Sequence, residues 1–110
     1  MSNKYNAVKT TIDGIKFDSK KEAKYYLYLK DKLEKGEIYN LELQKKYILQ
    51  PAFVCDNKKY REISYIADFD YYDKDTHKHH TVDVKGKILD VFKIKSKMFA
   101  YKFNYAIEIV

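Results

Sequence analysis

Two stretches place carboxylates inside apolar, β-branched and aromatic runs: Tyr65-Ile66-Ala67-Asp68-Phe69 and Val82-Asp83-Val84-Lys85-Gly86. Side chains alternate along a strand, so Asp83 and Lys85 share one face while Val82 and Val84 point the other way. Aspartate is disfavoured in strands, and its recurrence beside a lysine on one face asks for a reason. If Asp75-Thr76 forms a two-residue turn, Asp73 falls opposite Lys78, Phe69 opposite Val82, and Asp68 opposite Asp83. Ala67, Phe69, Val82 and Val84 then make an apolar reverse face on which a helix can rest. Opposed carboxylates repel unless a proton or a cation lies between them. A hard divalent cation with oxygen ligands answers that repulsion, and magnesium keeps positions open for water and phosphate. Lys85, one pleat repeat from Asp83, is placed to orient or deprotonate an attacking water, or to neutralise charge building on a phosphate. The plainer reading is a solvated hairpin with ordinary surface charges. Repeated aspartates on one face weigh against it.

Glu22 belongs with these acids by helix geometry. Positions 22, 26, 29 and 33 form one stripe of a 3.6-residue helix, and the other three are Tyr26, Leu29 and Leu33. The stripe aims Glu22 toward the sheet. Ser19-Lys20-Lys21-Glu22 is also a capping box, in which Glu22 would serve only the helix start. Both readings stay open.

The elements that must position these groups follow from pattern. Thr11 to Phe17 alternates around Asp13-Gly14, a hairpin signal. A helix opens at Ser19, runs to Leu33 and is closed by Gly36. Leu41 to Leu49 is a strand that Gln50-Pro51 ends or displaces to a sheet edge. A second strand covers Tyr60 to Tyr72, a turn follows near Asp73 to His77, and a third strand runs from Lys78 to Lys85. Gly86 breaks it. A second helix spans Asp90 to Phe103, with Val91, Ile94, Met98 and Tyr101 on one side and Phe92, Phe99 and Phe103 further round. Tyr105, Ile107 and Ile109 alternate as a closing strand. After the hairpin the order is α-β-β-β-α-β, an α+β arrangement in one domain, residues 1–110.

Composition narrows the chemistry. Lysine and arginine number 22 against 16 acids, a net charge of +6 that suits a polyanionic partner. Arg61 is the only arginine, so bidentate guanine reading is disfavoured while phosphate attraction is not. The candidate phosphate contacts are Lys93 and Lys97, one turn apart on the second helix, with Lys87, and Lys4 and Lys9 beside Tyr5 before the hairpin. A solvated face is the commoner meaning of such lysines. Cys55 is the single cysteine; it excludes an internal disulfide and a Cys-rich zinc site, and reads as a buried packing residue. No apolar run is long enough to span a membrane, which with the lone cysteine points to the cytoplasm. Three glycines exclude a glycine-rich phosphate loop. His77, His79 and His80 read as exposed turn residues rather than a zinc site. Gln44 and Gln50 lie on the first long strand and are weak positioning candidates.

Glu22 on the first helix, Asp68 on one strand and Asp83-Val84-Lys85 on the next resemble the PD-(D/E)XK nuclease superfamily. Phe17-Asp18-Ser19-Lys20-Lys21-Glu22-Ala23, Tyr65-Ile66-Ala67-Asp68-Phe69 and Asp83-Val84-Lys85-Gly86 more closely resemble a family of small phage-encoded proteins of largely undefined function, usually placed in that superfamily. Nearly the whole chain is covered. The resemblance implies a restriction-endonuclease-like core, a mixed sheet flanked by helices. It implies that Asp68 and Asp83 bind magnesium or manganese, with the Val84 backbone carbonyl as an extra ligand and Glu22 in support. Lys85 would act on the attacking water. Ala67 stands where the superfamily's name has proline, a variation that leaves the acid in place. The implied activity is metal-dependent DNA endonuclease, a hydrolase leaving a 5′ phosphate. Branched DNA of the Holliday-junction kind fits a lysine-rich, arginine-poor surface, and a homodimer would cut two strands. Phage origin would place it in the bacterial host cytoplasm, in DNA recombination or processing. The rival is a catalytically inactive nuclease-fold module that binds nucleic acid or a host protein.

Overall fold

The computed structural model describes residues 9–110. β1 (Thr10–Ile12) and β2 (Ile15–Phe17) form the expected hairpin. Asp13 and Gly14 both have positive φ, 53° and 75°, as a twisted two-residue turn requires. α1 (Lys20–Glu34) starts at Ser19, whose side chain accepts from the Glu22 N–H at 3.1 Å. Its end is a Schellman closure. Gly36, at φ 73°, donates to the Leu33 carbonyl at 3.1 Å, and Glu37 donates to that of Lys32 at 2.9 Å.

β3 (Ile38–Gln50) is a long strand that ends before Pro51. A small hairpin, β4 (Phe53–Cys55) and β5 (Lys58–Tyr60), then projects from the chain. Asp56 and Asn57 supply its positive-φ turn. The residue pattern alone starts the second long strand at Tyr60 and shows no such hairpin. Three-residue strands are too short for a period to show, and only the Asp-Asn pair marks the turn. Cys55 lies on this hairpin and is exposed. The expectation of a buried cysteine fails because the hairpin leaves both its strands in solvent.

β6 (Ile63–Asp73), β7 (His79–Asp83), α2 (Asp90–Phe103) and β8 (Glu108–Ile109) complete the chain. The main sheet has the order β3-β6-β7-β8. Its first two pairings are antiparallel and β7–β8 is parallel, so the sheet is mixed. The β6–β7 register is the one that a turn centred on Asp75-Thr76 gives: Phe69 faces Val82, Asp70 faces Thr81, and Asp73 N–H reaches the Lys78 carbonyl at 2.9 Å. The turn itself is longer than two residues. His77 N–H bonds back to the Asp73 carbonyl, His77 adopts φ 59°, and Asp73 Oδ1 accepts from the N–H groups of Asp75 and Thr76. A four-residue loop centred at the same place keeps the same register.

Two cores flank the sheet. Phe17, Tyr26, Leu29, Phe69, Tyr71 and Val82 form one with α1 and the first hairpin; Leu49, Tyr65, Ala67, Phe92, Phe99 and Ile107 form the other with α2. Ala67 therefore does not share a core with Phe69 and Val82, contrary to strict alternation. The odd-numbered residues of β6 change sides at Asp68. Opposite this point on β3, between the pairs Leu43–Phe69 and Lys45–Ala67, Gln44 has φ 54°. A partner strand kinked there breaks the two-residue period.

α2 corrects another expectation. Phe92 and Phe99 are buried, with Phe103 packed beside them, whereas Val91, Ile94 and Tyr101 are exposed. The helix carries two apolar stripes, and packing selects the aromatic one because it buries more area against Tyr47 and Tyr65. No described helix is long and apolar enough to cross a membrane.

Candidate active site

Where β6 and β7 leave α1, a cavity of about 510 Å³ opens. Glu22, Asp68, Asp83, Val84 and Lys85 all line it, so every residue of the anticipated catalytic group meets in one place. Glu22 arrives from the first turn of α1. Ser19 still caps the helix through its oxygen, while the Glu22 carboxyl lines the cavity and is only 8% exposed. Of its two open roles, the structure gives the residue's backbone to the cap and its side chain to the acids.

Each of the two aspartates is held by a specific donor. The Val84 N–H donates to Asp68 Oδ2 at 2.8 Å, and the Tyr65 hydroxyl donates to Asp83 Oδ2 at 2.6 Å. Lys85 Nζ lies 3.2 Å from Asp83 Oδ1 and 4.4 Å from the centre of the Phe92 ring. The lysine head is thus placed between an acid and an aromatic face, partly out of water. Lys21 Nζ donates to the Lys85 carbonyl at 3.1 Å, tying the start of α1 to the end of the β7 segment. β8 braces the same segment: Val110 N–H bonds the Asp83 carbonyl at 3.0 Å, and Lys85 N–H bonds that of Val110 at 3.2 Å.

Crowded acids behave as crowded acids must. Burial, followed by the charges of Asp68, Asp18 and Asp83, pushes the Glu22 carboxyl up to about 7. Burial is the first cause for Asp68 as well, helped by Asp83; the Val84 N–H, Lys85 and Gln44 pull the other way, and the result is about 6. Around neutral pH the cavity holds a proton, or a cation in its place.

Among the described residues no three His, Cys, Asp or Glu side chains stand close enough to hold a metal unaided. The donor chemistry nonetheless fits a hard cation of the magnesium kind, which takes one or two carboxylates and completes its shell with water. Asp68 Oδ2 accepts from the Val84 N–H, while Asp83 meets the Tyr65 hydroxyl through Oδ2 and Lys85 through Oδ1.

Several cavity residues were not anticipated. Lys20 and Lys21 join Lys85 and Lys87 around the rim. Their place in the capping box hid them, since they were read as helix-start residues only. Tyr65 lay inside the quoted motif, but its reach to Asp83 depends on β6 changing sides at Asp68. Gln44 hydrogen bonds Asp68, as its strand position suggested, whereas Gln50 pairs with Ile63 at the far end of β3. Lys93 and Lys97 are exposed on α2, and Lys93 has Asp90 within 3.8 Å. Lys9 is exposed ahead of β1, and Lys4 and Tyr5 lie outside the described residues.

The histidines are not all exposed turn residues. His79 Nε2 sits 2.7 Å from Asp70 Oδ1 with its ring stacked on Tyr72, and His80 Nδ1 sits 2.6 Å from Glu108 Oε2 with its ring stacked on Tyr71. Tyr72 and Tyr71 are their direct cross-strand partners, which gives each imidazole a flat surface to cover. Only His77 is exposed. Asp70 is fully buried and also accepts from Thr81 at 2.8 Å and from the Tyr47 hydroxyl. This second acidic centre is satisfied from within the protein.

A family described as "Protein of unknown function (DUF1064)" matches residues 2–108. The chain belongs to this family. No curated protein and no solved structure matches it. The DUF1064 match runs from before the first hairpin to β8, and so takes in every residue of the cavity.

Proposed function

We propose that this DUF1064 protein is a metal-dependent nuclease of the PD-(D/E)XK kind, hydrolysing phosphodiester bonds in DNA. The observation that carries the reading is the meeting of Glu22, Asp68, Asp83 and Lys85 in one cavity, where Asp68 on β6 and Asp83 on β7 both line the wall. Four lysines, at 20, 21, 85 and 87, stand around that acidic floor. A phosphodiester is drawn by the rim and repelled by the floor unless a cation is present, which is the requirement of a metal-assisted site rather than a simple anion pocket.

Asp68 and Asp83 would hold magnesium or manganese. The chemistry such a cation supplies when bound is Lewis acidity toward the phosphate oxygens. The protein's own groups do the rest. Tyr65 and the Val84 N–H fix the two carboxylates, so that no reorganisation is needed when charge develops. Lys85, its charge directed by Asp83 and Phe92, orients the attacking water and balances negative charge on the phosphate. Glu22 keeps a proton in the cavity until a cation takes its place.

The test is cleavage of linear, flapped and four-way DNA with magnesium, manganese or chelator. Cutting that needs the metal and disappears in Asp83→Asn and Lys85→Ala is the expected result. Cutting that persists equally in both variants, or none on any substrate, overturns the reading.

A further inference from the structure

A second cavity of about 370 Å³ adjoins the first. Ile66, Asp83, Lys85 and Leu89 line both, while Val91 and Lys95 belong to the second. Its character is different. Ile66 and Leu89 are each 51% exposed and Val91 is 64% exposed, so three aliphatic side chains stand in solvent at the edge of a charged site. Leu89 is also the N-cap of α2 and makes no side-chain capping hydrogen bond. Leucine is among the poorest N-caps, where serine, threonine, aspartate or asparagine would each satisfy an orphan N–H. An apolar side chain occupies this position against the preference of the helix.

A phosphodiester seated by Lys85 and the acids has its sugar and base within reach of this neighbouring wall. In a continuous duplex the base is stacked inward and presents only edges, leaving the aliphatic wall without an apolar partner. An unstacked base presents two apolar faces and a polar rim. The wall of Ile66, Leu89 and Val91 suits such a face, and Lys95 suits the rim or the next phosphate. The volume is that of a small-molecule site.

We infer that the cavity beside Asp83 and Lys85 is a nucleobase subsite, and that the preferred substrate carries unpaired nucleotides next to the phosphate that is cut. The inference rests on the nuclease reading above for its phosphate, but the side chains that would meet the base, Ile66, Leu89 and Val91, have no part in that chemistry. Recognition is of an unstacked base by shape and apolar contact, without choice among the four bases.

The experiment compares two oligomers of equal charge, dT12 and a twelve-unit abasic phosphate chain, by fluorescence anisotropy with calcium in place of magnesium. The full chain is expected to bind dT12 at least tenfold more tightly than the abasic chain. Leu89→Ser and Val91→Ser are each expected to reduce that preference to threefold or less. Leu89→Ser improves the helix cap, so a lost preference there is not unfolding, and the melting temperature of both variants checks the point. Equal binding of the two oligomers, a preference that survives both substitutions, or equal loss on both oligomers overturns the subsite. A base preference that depends on Leu89 and Val91, in a protein that cuts no DNA with magnesium, upholds the subsite and rejects only the nuclease reading. Metal-dependent cutting with no base preference does the reverse.

Discussion

The Tyr65 hydroxyl donates to Asp83 Oδ2 at 2.6 Å, joining two strands inside the α2 core. Burial, then Asp83 itself, holds the phenol far above its ordinary value, so Tyr65 remains a donor at every working pH. The bond turns Asp83 so that Oδ1 meets Lys85 at 3.2 Å. Tyr65→Phe removes the donor and keeps the ring against Phe99. Stability is expected to fall by about 1.5–3 kcal/mol, the worth of a hydrogen bond to a charged group. Manganese affinity, read by calorimetry, is expected to fall roughly tenfold or more, as when the support of a ligand is lost. An unchanged isotherm would show that Asp83 needs no orienting.

The acids give the metal-free protein a pH signature. Glu22, at about 7 in the fold, ordinarily titrates at 4.5, and Asp68, at about 6, ordinarily titrates at 3.8. Both values are raised, so the folded state binds their protons more tightly than the unfolded state does. Stability from this source is complete below pH 4 and is lost as pH rises through 6 and 7. In chelator, the melting temperature is expected to drop across that window, with Glu22 contributing on the order of 2 kcal/mol. Glu22→Gln should flatten much of the slope, and saturating magnesium should restore stability at the alkaline end. A flat melting profile in chelator for the unaltered chain rejects the acidic cluster as drawn.

Cation binding must follow the same titrations, because the carboxylates have to lose their protons first. Magnesium or manganese affinity is expected to rise steeply between pH 5.5 and 7.5, with proton release seen as a buffer-dependent heat. Binding that ignores pH would place the cation elsewhere.

On the proposed nuclease reading, Lys85 divides binding from chemistry. Lys85→Met keeps an unbranched apolar stem against Phe92 and removes the charge 3.2 Å from Asp83. Single-turnover cleavage is expected to slow by roughly 100- to 1,000-fold, the usual loss for one charge-stabilising group. Metal affinity should hold or improve, since a competing cation is gone. A parallel loss of metal affinity would make Lys85 structural.

Asp70 supplies the contrast. It is as acidic in type as Asp68 and two residues away, but Thr81, Tyr47 and His79 saturate it. Asp70→Ala leaves those groups without a buried acceptor and is expected to cost at least about 3 kcal/mol in denaturant unfolding. The metal isotherm of the surviving folded fraction should stay as before. A selective loss of metal binding with stability intact would move the site toward Asp70.

Much of this could be read from the chain because it depends on local rules. Asp13-Gly14, Ser19 with Glu22, and Gly36 mark turn, cap and closure by their own backbone preferences, and the structure follows each. A turn centred on Asp75-Thr76 made the β6–β7 register legible, and with it the gathering of Asp68 and Asp83 at one cavity. The α2 faces were less legible, because Val91, Ile94, Met98 and Tyr101 are as periodic as Phe92, Phe99 and Phe103. Only the shape of the facing sheet chooses between two apolar stripes. The β4–β5 hairpin and the partial burial of His79 and His80 escaped for a related reason: short strands have no period, and a ring is covered by its cross-strand neighbour.

The amino-acid sequence alone determined which groups could do chemistry here, the strands and helix that carry them, and the strand register that brings two carboxylates to one cavity. Those outcomes follow from alternation, helical period and turn chemistry, which act within a few residues. The tertiary structure decided what surrounds the acids. Tyr65 reaches Asp83 because β6 changes sides opposite the kink at Gln44. Lys21 is drawn to the rim by the Lys85 carbonyl, and Ile66, Leu89 and Val91 meet beside Asp83 and Lys85 only when β6 and the start of α2 pack together. Contacts between segments far apart in the chain depend on how whole elements pack, and no local pattern encodes them.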